Sequence, residues 1–138
     1  MQKLPKVGVG TVIFNYQNEI LLIKRKKKPE ANHWSIPGGK VDWFETLEEA
    51  VIREIKEETG LDIQVKELLC VTDHILQEEN VHYVAPTYLS EVTGGQIEKG
   101  IDDAILDIGW FSLKALPKPL TLTTQNALKH LRIEGVLE

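Results

Sequence analysis

Residues 39–61 read G-K-V-D-W-F-E-T-L-E-E-A-V-I-R-E-I-K-E-E-T-G-L, and this stretch carries the start and stop signals of one short helix. Thr46 is followed three residues later by Glu49, which is the pattern of a capping box at a helix N-terminus. Gly60 stands where a left-handed cap would end the helix. The pattern therefore predicts a helix from about Leu47 to Thr59.

Three glutamates of this helix are predicted to overlap its buried face. At about 100° of rotation per residue, the apolar side chains form one stripe, and Glu54, Glu57 and Glu58 lie within or beside it. An exposed acidic helix would instead place its carboxylates on the opposite side, paired with Lys or Arg. Carboxylates held together away from water cost several kcal/mol each, or stay protonated, unless a cation neutralises them. The sequence therefore predicts a metal site, and oxygen ligands suit Mg²⁺ or Mn²⁺ rather than zinc.

The turn before the helix reads Pro37-Gly38-Gly39. Glycines allow the backbone to approach a ligand closely. We therefore expect a backbone carbonyl of this turn, assigned to Gly39, to complete the ligand shell of the metal.

The same stretch resembles the Nudix box. Gly39 is followed after five residues by Glu45 and after seven more by Arg53 and Glu54, and the run to Leu61 matches the box at every defined position. A pattern of this length is far more specific than a short glycine motif. The resemblance implies hydrolysis of a nucleoside diphosphate linked to another moiety, with a divalent metal, on an α/β/α sandwich.

The resemblance also implies a role for each residue of the box. Glu54, Glu57 and Glu58 are expected to hold the metal, and Glu54 is the candidate to receive the proton of the attacking water. Arg53 belongs to the catalytic set with Glu54 and Glu57, and its ion pair with Glu45 is expected to orient the carboxylates. In related enzymes the base lies instead on a loop outside the box, where the acids available in this chain are Glu98, Asp102 and Asp103.

The rest of the chain predicts an α/β fold with a mixed sheet between helices. Two apolar runs separated by Gln17-Asn18 indicate a hairpin. A polar loop is expected from Thr93 to Asp103, and a final amphipathic helix is expected from Thr121 to Arg132. The predicted strands cover Val7–Tyr16, Glu19–Lys24, Leu61–Val71, Val81–Glu91 and Ile108–Ser112.

Length and composition favour one Nudix domain over residues 1–138. The chain has 138 residues with 42% hydrophobic content, which is enough for one sizeable core. The net charge of −5 disfavours duplex nucleic acid as a partner. A small nucleotide is the expected partner. No signal-like segment and no apolar run of about 18 residues is seen, so we expect no membrane partner and a cytoplasmic location.

The candidate substrate-binding residues lie outside the box, and most have a structural alternative. Arg25, in a Lys-rich run, can contact a phosphate or belong to a solvated surface. Trp34 can stack on a base or pack in the core. Gly8 and Gly10 leave one strand face bare, which would admit a flat ligand or a closely packed helix. Tyr83 is expected to join the base pocket.

Two bulky residues, Trp43 and Phe44, precede the first glutamate of the box. These rings can stack on a base, contact a partner subunit or cover the core. Together with the frequent pairing of family members, they suggest a homodimer.

The chain most resembles the MutT-like branch, which cuts (deoxy)nucleoside triphosphates, including oxidised guanine nucleotides, to the monophosphate and pyrophosphate. Leu76 and Gln77 stand where members acting on ADP-ribose or on dinucleoside polyphosphates often carry proline or tyrosine. An ADP-ribose or nucleotide-sugar pyrophosphatase is the alternative. A second alternative is a nucleotide-sensing module without turnover.

Overall fold

A mixed sheet of seven strands lies between two helices in the computed structural model, which describes residues 3–133. The α/β/α sandwich predicted from the sequence is therefore confirmed. The predicted single domain over 1–138 includes residues 1–2 and 134–138, which lie outside the described part. In chain order the elements are β1 (Lys6–Phe14), β2 (Glu19–Arg25), β3 (Trp34–Ser35), β4 (Gly38–Lys40), α1 (Leu47–Thr59), β5 (Leu61–Leu76), β6 (Val81–Gly95), β7 (Ile105–Ser112) and α2 (Leu122–Ile133).

The strands follow the order β3-β2-β1-β6-β5, with β4 paired to β1 and β7 paired to β2. Strands β1 and β6 are parallel, and the other pairs are antiparallel. The short strand β4 therefore brings the glycine turn against β1, directly before α1. The box therefore begins on β4, which pairs with the central strand β1, and continues through α1.

The alternation of side chains along β1 and β2 divides the core into two layers. Val9 and Ile13 of β1 face α1, whereas Val12 faces α2. Each helix contributes a buried apolar stripe to its own layer. These stripes are Ala50, Val51 and Ile55 of α1, and Ala127, Leu128 and Leu131 of α2.

Helix α1 begins and ends where its sequence predicts. Thr46 accepts a hydrogen bond from the amide of Glu49, the Glu49 side chain accepts one from the Thr46 amide, and Gly60 is a left-handed cap with φ 85°. These signals are local, so the sequence alone determines both ends.

The strands β5 and β6 extend beyond the predicted Leu61–Val71 and Val81–Glu91. They pair along their whole length, from Leu61 opposite Gly95 to Leu76 opposite Val81. The polar loop predicted from Thr93 therefore begins only after Gly95. Bulges between Val65 and Glu67 and between Leu68 and Cys70 interrupt the alternation of side chains, which hides the true strand length from the sequence pattern. Within residues 3–133, no helix has the length and apolarity needed to cross a membrane.

Candidate active site

Two glycines let α1 and β1 approach β4 closely. A Cβ atom on Gly38 would overlap the carbonyl oxygen of Val9, and a Cβ atom on Gly39 would overlap the carboxylate of Glu54. A side chain at Gly38 would therefore push β4 away from β1, whereas a side chain at Gly39 would displace the carboxylate of Glu54. The turn lies against a carboxylate of α1, which is where the expected metal site requires it.

Glu58 places a carboxylate in a site with little access to water. Its Oε1 atom accepts a hydrogen bond of 2.8 Å from the amide of Gly38. Burial raises the pKa of Glu58 to about 8; the Gly38 amide and Arg25 oppose this shift, whereas the charges of Glu54 and Asp102 add to it. A carboxyl group with this pKa is largely protonated at neutral pH unless a cation is bound beside it.

Arg53 connects the carboxylates of the box. Its Nε and Nη2 atoms donate to the two oxygens of Glu45 at 2.6 and 2.9 Å, which is a bidentate ion pair. Its Nη1 atom donates to Glu54 at 2.9 Å, and Nη2 also donates to the carbonyl of Lys40 at 2.9 Å. The ion pair with Glu45 raises the pKa of Arg53 and, with the amide of Asp42, lowers the pKa of Glu45 to about 2. Both groups of the ion pair therefore stay charged.

Glu54 lies between this ion pair and the glycine turn. Burial raises its pKa, and the hydrogen bond and charge of Arg53 only partly oppose the rise. Glu54 thus combines a raised proton affinity with a fixed orientation.

Glu57 differs from the expectation that all three glutamates overlap the buried face. Its side chain is 58% exposed and lies 3.2 Å from Nη1 of Arg53. Within residues 3–133, no three acidic, histidine or cysteine side chains form a ready metal cluster. The physical reason is that the carboxylates bond to different donors. Glu54 and Glu57 accept from Arg53, whereas Glu58 accepts from the amide of Gly38. The donor set still fits a hard divalent cation, because it offers only oxygen and two of its carboxyl groups have a raised pKa.

A cavity of about 290 Å³ extends from the glycine turn along β1. Arg25 lines it, and the Nε atom of Arg25 donates to the carbonyl of Pro29 at 2.8 Å. The charge of Arg25 lowers the pKa of Glu58, so Arg25 belongs to the site rather than only to a solvated run. Lys28 and Lys40 also line the cavity. The sequence analysis missed both lysines, although Lys40 directly follows the glycine turn.

Gly8 and Gly10 line the cavity, but their bare strand face is covered by protein. The space beside Gly8 is filled by the ring of Tyr83 at 3.4 Å, and the space beside Gly10 by Ile36 at 3.3 Å. The expectation of a closely packed helix is wrong, since Tyr83 and Ile36 are the nearest side chains on this face, whereas a flat ligand in the cavity stays a prediction. Tyr83 itself lines the cavity, as expected for a base-pocket residue.

Trp34 is not among the residues that line the cavity. It packs edge-on against Phe111, with ring centroids 4.9 Å apart, in the core layer on the α2 side. The proposed contact of Trp34 with a base is therefore wrong in this structure, because neighbouring strands direct the ring into the core.

Trp43 and Phe44 are 86% and 91% exposed. Their rings lie 5.1 Å apart beside a separate shallow depression. They therefore neither cover the core nor line the cavity, and a contact with a partner subunit is the expectation that stays untested.

The three loop acids outside the box differ in position. The charge of Asp102 raises the pKa of Glu58, so Asp102 lies within electrostatic reach of the carboxylates. Glu98 instead packs over Gly60, at 3.3 Å from the position of a Cβ atom there. Asp103 is exposed. Asp102 is thus the loop acid that the fold directs toward the site.

Glu30 and His74 line one part of the cavity, which we call its inner end, and form a hydrogen-bonded pair that was not predicted from the sequence. Oε1 of Glu30 lies 2.8 Å from Nε2 of His74, and the two side chains are only 10% and 12% exposed. Oε2 of Glu30 accepts from the amide of Leu122 at 2.9 Å. Glu30 and His74 are 44 residues apart, and no spacing rule relates residues on a loop and a strand.

The chain belongs to the Nudix hydrolase family, since the family model described as the NUDIX domain matches residues 4–131. An ADP-ribose pyrophosphatase of Methanocaldococcus jannaschii is 44% identical over 114 residues, which cover 83% of this chain and 66% of that protein. The 8-oxo-dGDP phosphatase NUDT18 of Danio rerio is 36% identical over 114 residues, which cover 81% of this chain and 33% of that protein. This chain thus spans less than two thirds of the length of either relative.

Among solved structures, the crystal structure of a MutT NUDIX hydrolase from Burkholderia pseudomallei is similar over nearly the whole chain. It is 45% identical with a TM-score of 0.85, and the match covers 94% of this chain and 99% of that one. The resemblance to the Nudix family inferred from the box is therefore confirmed at the level of the whole fold.

Proposed function

We propose that this chain hydrolyses the pyrophosphate bond of a nucleoside diphosphate derivative, and that its substrate is a (deoxy)nucleoside triphosphate, oxidised forms included, cut to the monophosphate and pyrophosphate. The observation that carries this proposal is one continuous cleft. It is lined by the glycine turn that contacts Glu54 and Glu58 of α1, and the cationic side chains of Arg25, Lys28 and Lys40 also line it.

The size and charge of the cleft favour a triphosphate. Its volume of about 290 Å³ is at the lower end of the range for small-molecule sites, which suits one nucleoside with its phosphates extending toward α1. Arg25, Lys28 and Lys40 line this path, and their positive charges offset most of the negative charge of a triphosphate chain. ADP-ribose carries less phosphate charge and a second sugar.

The residues proposed to hold the metal are Glu54, Glu57 and Glu58, with the backbone of Gly39. A Mg²⁺ or Mn²⁺ ion bound by them supplies charge neutralisation at the phosphate oxygens. Arg53 holds Glu54 in place, and Glu45 holds Arg53.

The proton step is assigned to Glu54. A water molecule attacks phosphorus, the bond between the α- and β-phosphates breaks, and the carboxylate of Glu54 accepts the proton that the water loses. The raised pKa of Glu54 suits this role, because a carboxylate that binds a proton more tightly is a stronger base. Asp102 is the alternative base.

The test is hydrolysis of a nucleotide panel by the purified protein with Mg²⁺. We expect the highest kcat/KM for a nucleoside triphosphate, with pyrophosphate as product. A value for ADP-ribose that exceeds every triphosphate about tenfold, equivalent to about 1.4 kcal/mol in the transition state, would reverse this order. Lys28→Ala should raise KM for the triphosphate, whereas its neighbour Lys27→Ala is the matched control, since Lys27 does not line the cleft.

An ADP-ribose or nucleotide-sugar pyrophosphatase is the second candidate, because the relative from Methanocaldococcus jannaschii bears the first of these names. The panel distinguishes it directly. A sensing module without turnover is opposed by the intact box, and it would appear as nucleotide binding with no product formed from any member of the panel.

A further inference from the structure

At the inner end of the cleft, Glu30 holds the imidazole ring of His74 in one orientation and with hydrogen on one particular ring nitrogen. Both oxygens of Glu30 accept hydrogen bonds, one from His74 and one from the amide of Leu122 at the start of α2. The amide of Glu30 donates to Glu79 at 3.2 Å. Glu30 thus bonds to three parts of the chain that are distant in sequence, at His74, Glu79 and Leu122.

Glu30 also adopts an uncommon backbone conformation. Its φ is 55°, in the left-handed region that costs a non-glycine residue free energy. Strain of this kind persists only where the surrounding contacts over-determine it, and such positions cluster at ligand sites. The fold therefore holds Glu30 in a backbone conformation that its own residue type disfavours. Of its three distant partners, His74 is the one that lines the cavity.

The contact determines which ring nitrogen of His74 carries hydrogen. Glu30 is ionised near neutral pH: burial raises its pKa, but the hydrogen bonds from His74 and Leu122 are among the contacts that bring the pKa below its ordinary value. An ionised carboxylate only accepts hydrogen bonds, so Nε2 of His74 must be the donor. In the neutral ring, Nδ1 is then an acceptor. Nδ1 makes no hydrogen bond within residues 3–133, and the ring lines the cavity beside Tyr83.

We propose that Glu30 fixes His74 in the Nε2–H form, and that Nδ1 of His74 is the hydrogen-bond acceptor that selects the nucleobase at the inner end of the cleft. His74 is the specificity-determining residue, and Glu30 is a positioning residue that acts through it. The inference rests on the proposed function, since it takes a nucleotide as the ligand.

An acceptor at this position favours a base edge that presents N–H. The 6-amino group of adenine offers a donor where hypoxanthine has a carbonyl oxygen. The N7–H of 8-oxoguanine offers a donor where guanine has a lone pair. We expect the wild-type protein to prefer the donor-bearing member in at least one of two pairs, dATP over dITP or 8-oxo-dGTP over dGTP.

The decisive variant is Glu30→Gln, which keeps size and shape. The amide oxygen of Gln accepts from Leu122, and its NH₂ group donates to Nε2 of His74. The hydrogen of the imidazole then moves to Nδ1, which becomes a donor. We expect the ratio of kcat/KM that the wild type shows, for dATP over dITP or for 8-oxo-dGTP over dGTP, to fall about tenfold or more in this variant. The reason is that Nδ1, now a donor, no longer accepts from the N–H of dATP or 8-oxo-dGTP.

The matched control is Glu78→Gln, which neutralises an exposed carboxylate beside Glu79, the residue that bonds the backbone of Glu30. Its ratios should equal those of the wild type. His74→Phe keeps a ring and removes both nitrogens, so both ratios should approach one. If Glu30→Gln does not fold, this variant tests the inference alone, and ratios unchanged from the wild type would contradict it.

Two-bond ¹H–¹⁵N spectra provide a readout that does not depend on turnover. The signals of His74 are assigned by their loss in His74→Phe. We expect the Nε2–H form in the wild type, the Nδ1–H form in Glu30→Gln, and a shift of the wild-type Nδ1 signal on addition of dATP or 8-oxo-dGTP. A wild-type ring with hydrogen on Nδ1, or unchanged ratios in a folded Glu30→Gln, overturns the inference.

The two proposals fail separately. If the wild type hydrolyses no nucleotide of the panel, the proposed function falls, but the nucleotide titration of His74 still tests the inference. An Nδ1 signal that does not move with saturating nucleotide would then refute it. If triphosphates are hydrolysed and the ratios do not depend on Glu30, the function stands and the inference falls.

Discussion

Replacing Glu58 with Gln should stabilise the metal-free protein and inactivate the enzyme. The change keeps the size of the side chain and an oxygen that accepts from the amide of Gly38, but it removes the negative charge. The charge is unfavourable in the metal-free protein because the carboxylate has little contact with water and lies near Glu54 and Asp102. With metal, the same charge is the proposed ligand.

The magnitude follows from the pKa of Glu58. The folded state raises it from 4.5 to about 8, which at about 1.36 kcal/mol per pH unit corresponds to an unfavourable free energy on the order of 2–5 kcal/mol, the lower figure allowing for relaxation of the protein. The folded state binds more protons than the unfolded state between these two values. The stability of the metal-free wild type therefore falls as pH rises from about 4.5 to about 8, and the variant lacks this loss.

The assay is urea unfolding of EDTA-treated proteins at about pH 5 and about pH 8. We expect the advantage of Glu58→Gln over the wild type to be small at the lower pH and to grow by about 2 kcal/mol or more at the higher pH. Glu48→Gln is the control, since Glu48 is an exposed carboxylate on the same helix. With saturating Mg²⁺ and nucleotide, turnover of Glu58→Gln should fall about 10²-fold or more.

The reasoning would be refuted by either of two results. One is a stability difference between Glu58→Gln and the wild type that does not change with pH, or that changes equally in Glu48→Gln. The other is unaltered turnover at limiting Mg²⁺, which would remove Glu58 from the metal site.

Three further predictions concern other parts of the molecule. Gly38→Ala should lower the free energy of unfolding by about 1–3 kcal/mol in a urea titration, because the added Cβ overlaps the backbone carbonyl of Val9; an unchanged midpoint would contradict the close approach of β4 to β1. The pKa of Glu30 is lowered in the folded state, so its stabilisation is present above about pH 4.5 and is lost as pH falls through the folded pKa. The stability advantage of the wild type over Glu30→Gln should therefore shrink on acidification, which thermal melts across this range can follow. Light scattering should give twice the 15.6 kDa of one chain if the exposed rings of Trp43 and Phe44 pair two subunits; serine at both positions should then give a monomer, and a wild-type monomer would end that expectation.

Part of the fold and site follows from short-range pattern alone. Both ends of α1 were predicted because capping depends on residues within one turn, here Thr46, Glu49 and Gly60. The contact of Arg53 with Glu45 was expected from the resemblance to the Nudix box, and the structure contains it. The lengths of β5 and β6 were underestimated, since strand length depends on pairing between distant segments and on bulges.

The family, the helix that carries the carboxylates and the glycine turn that faces them could all be predicted, because each depends on residues close together in the chain. The three-dimensional structure was needed to show that the side chain of Glu57 turns to Arg53, that Trp34 packs against Phe111, and that Tyr83 lies against Gly8. It also decided the inner end of the cleft. Glu30 and His74 meet there because a loop, the end of β5 and the start of α2 converge, and the periodicity of a single element contains no information about which other element will pack against it.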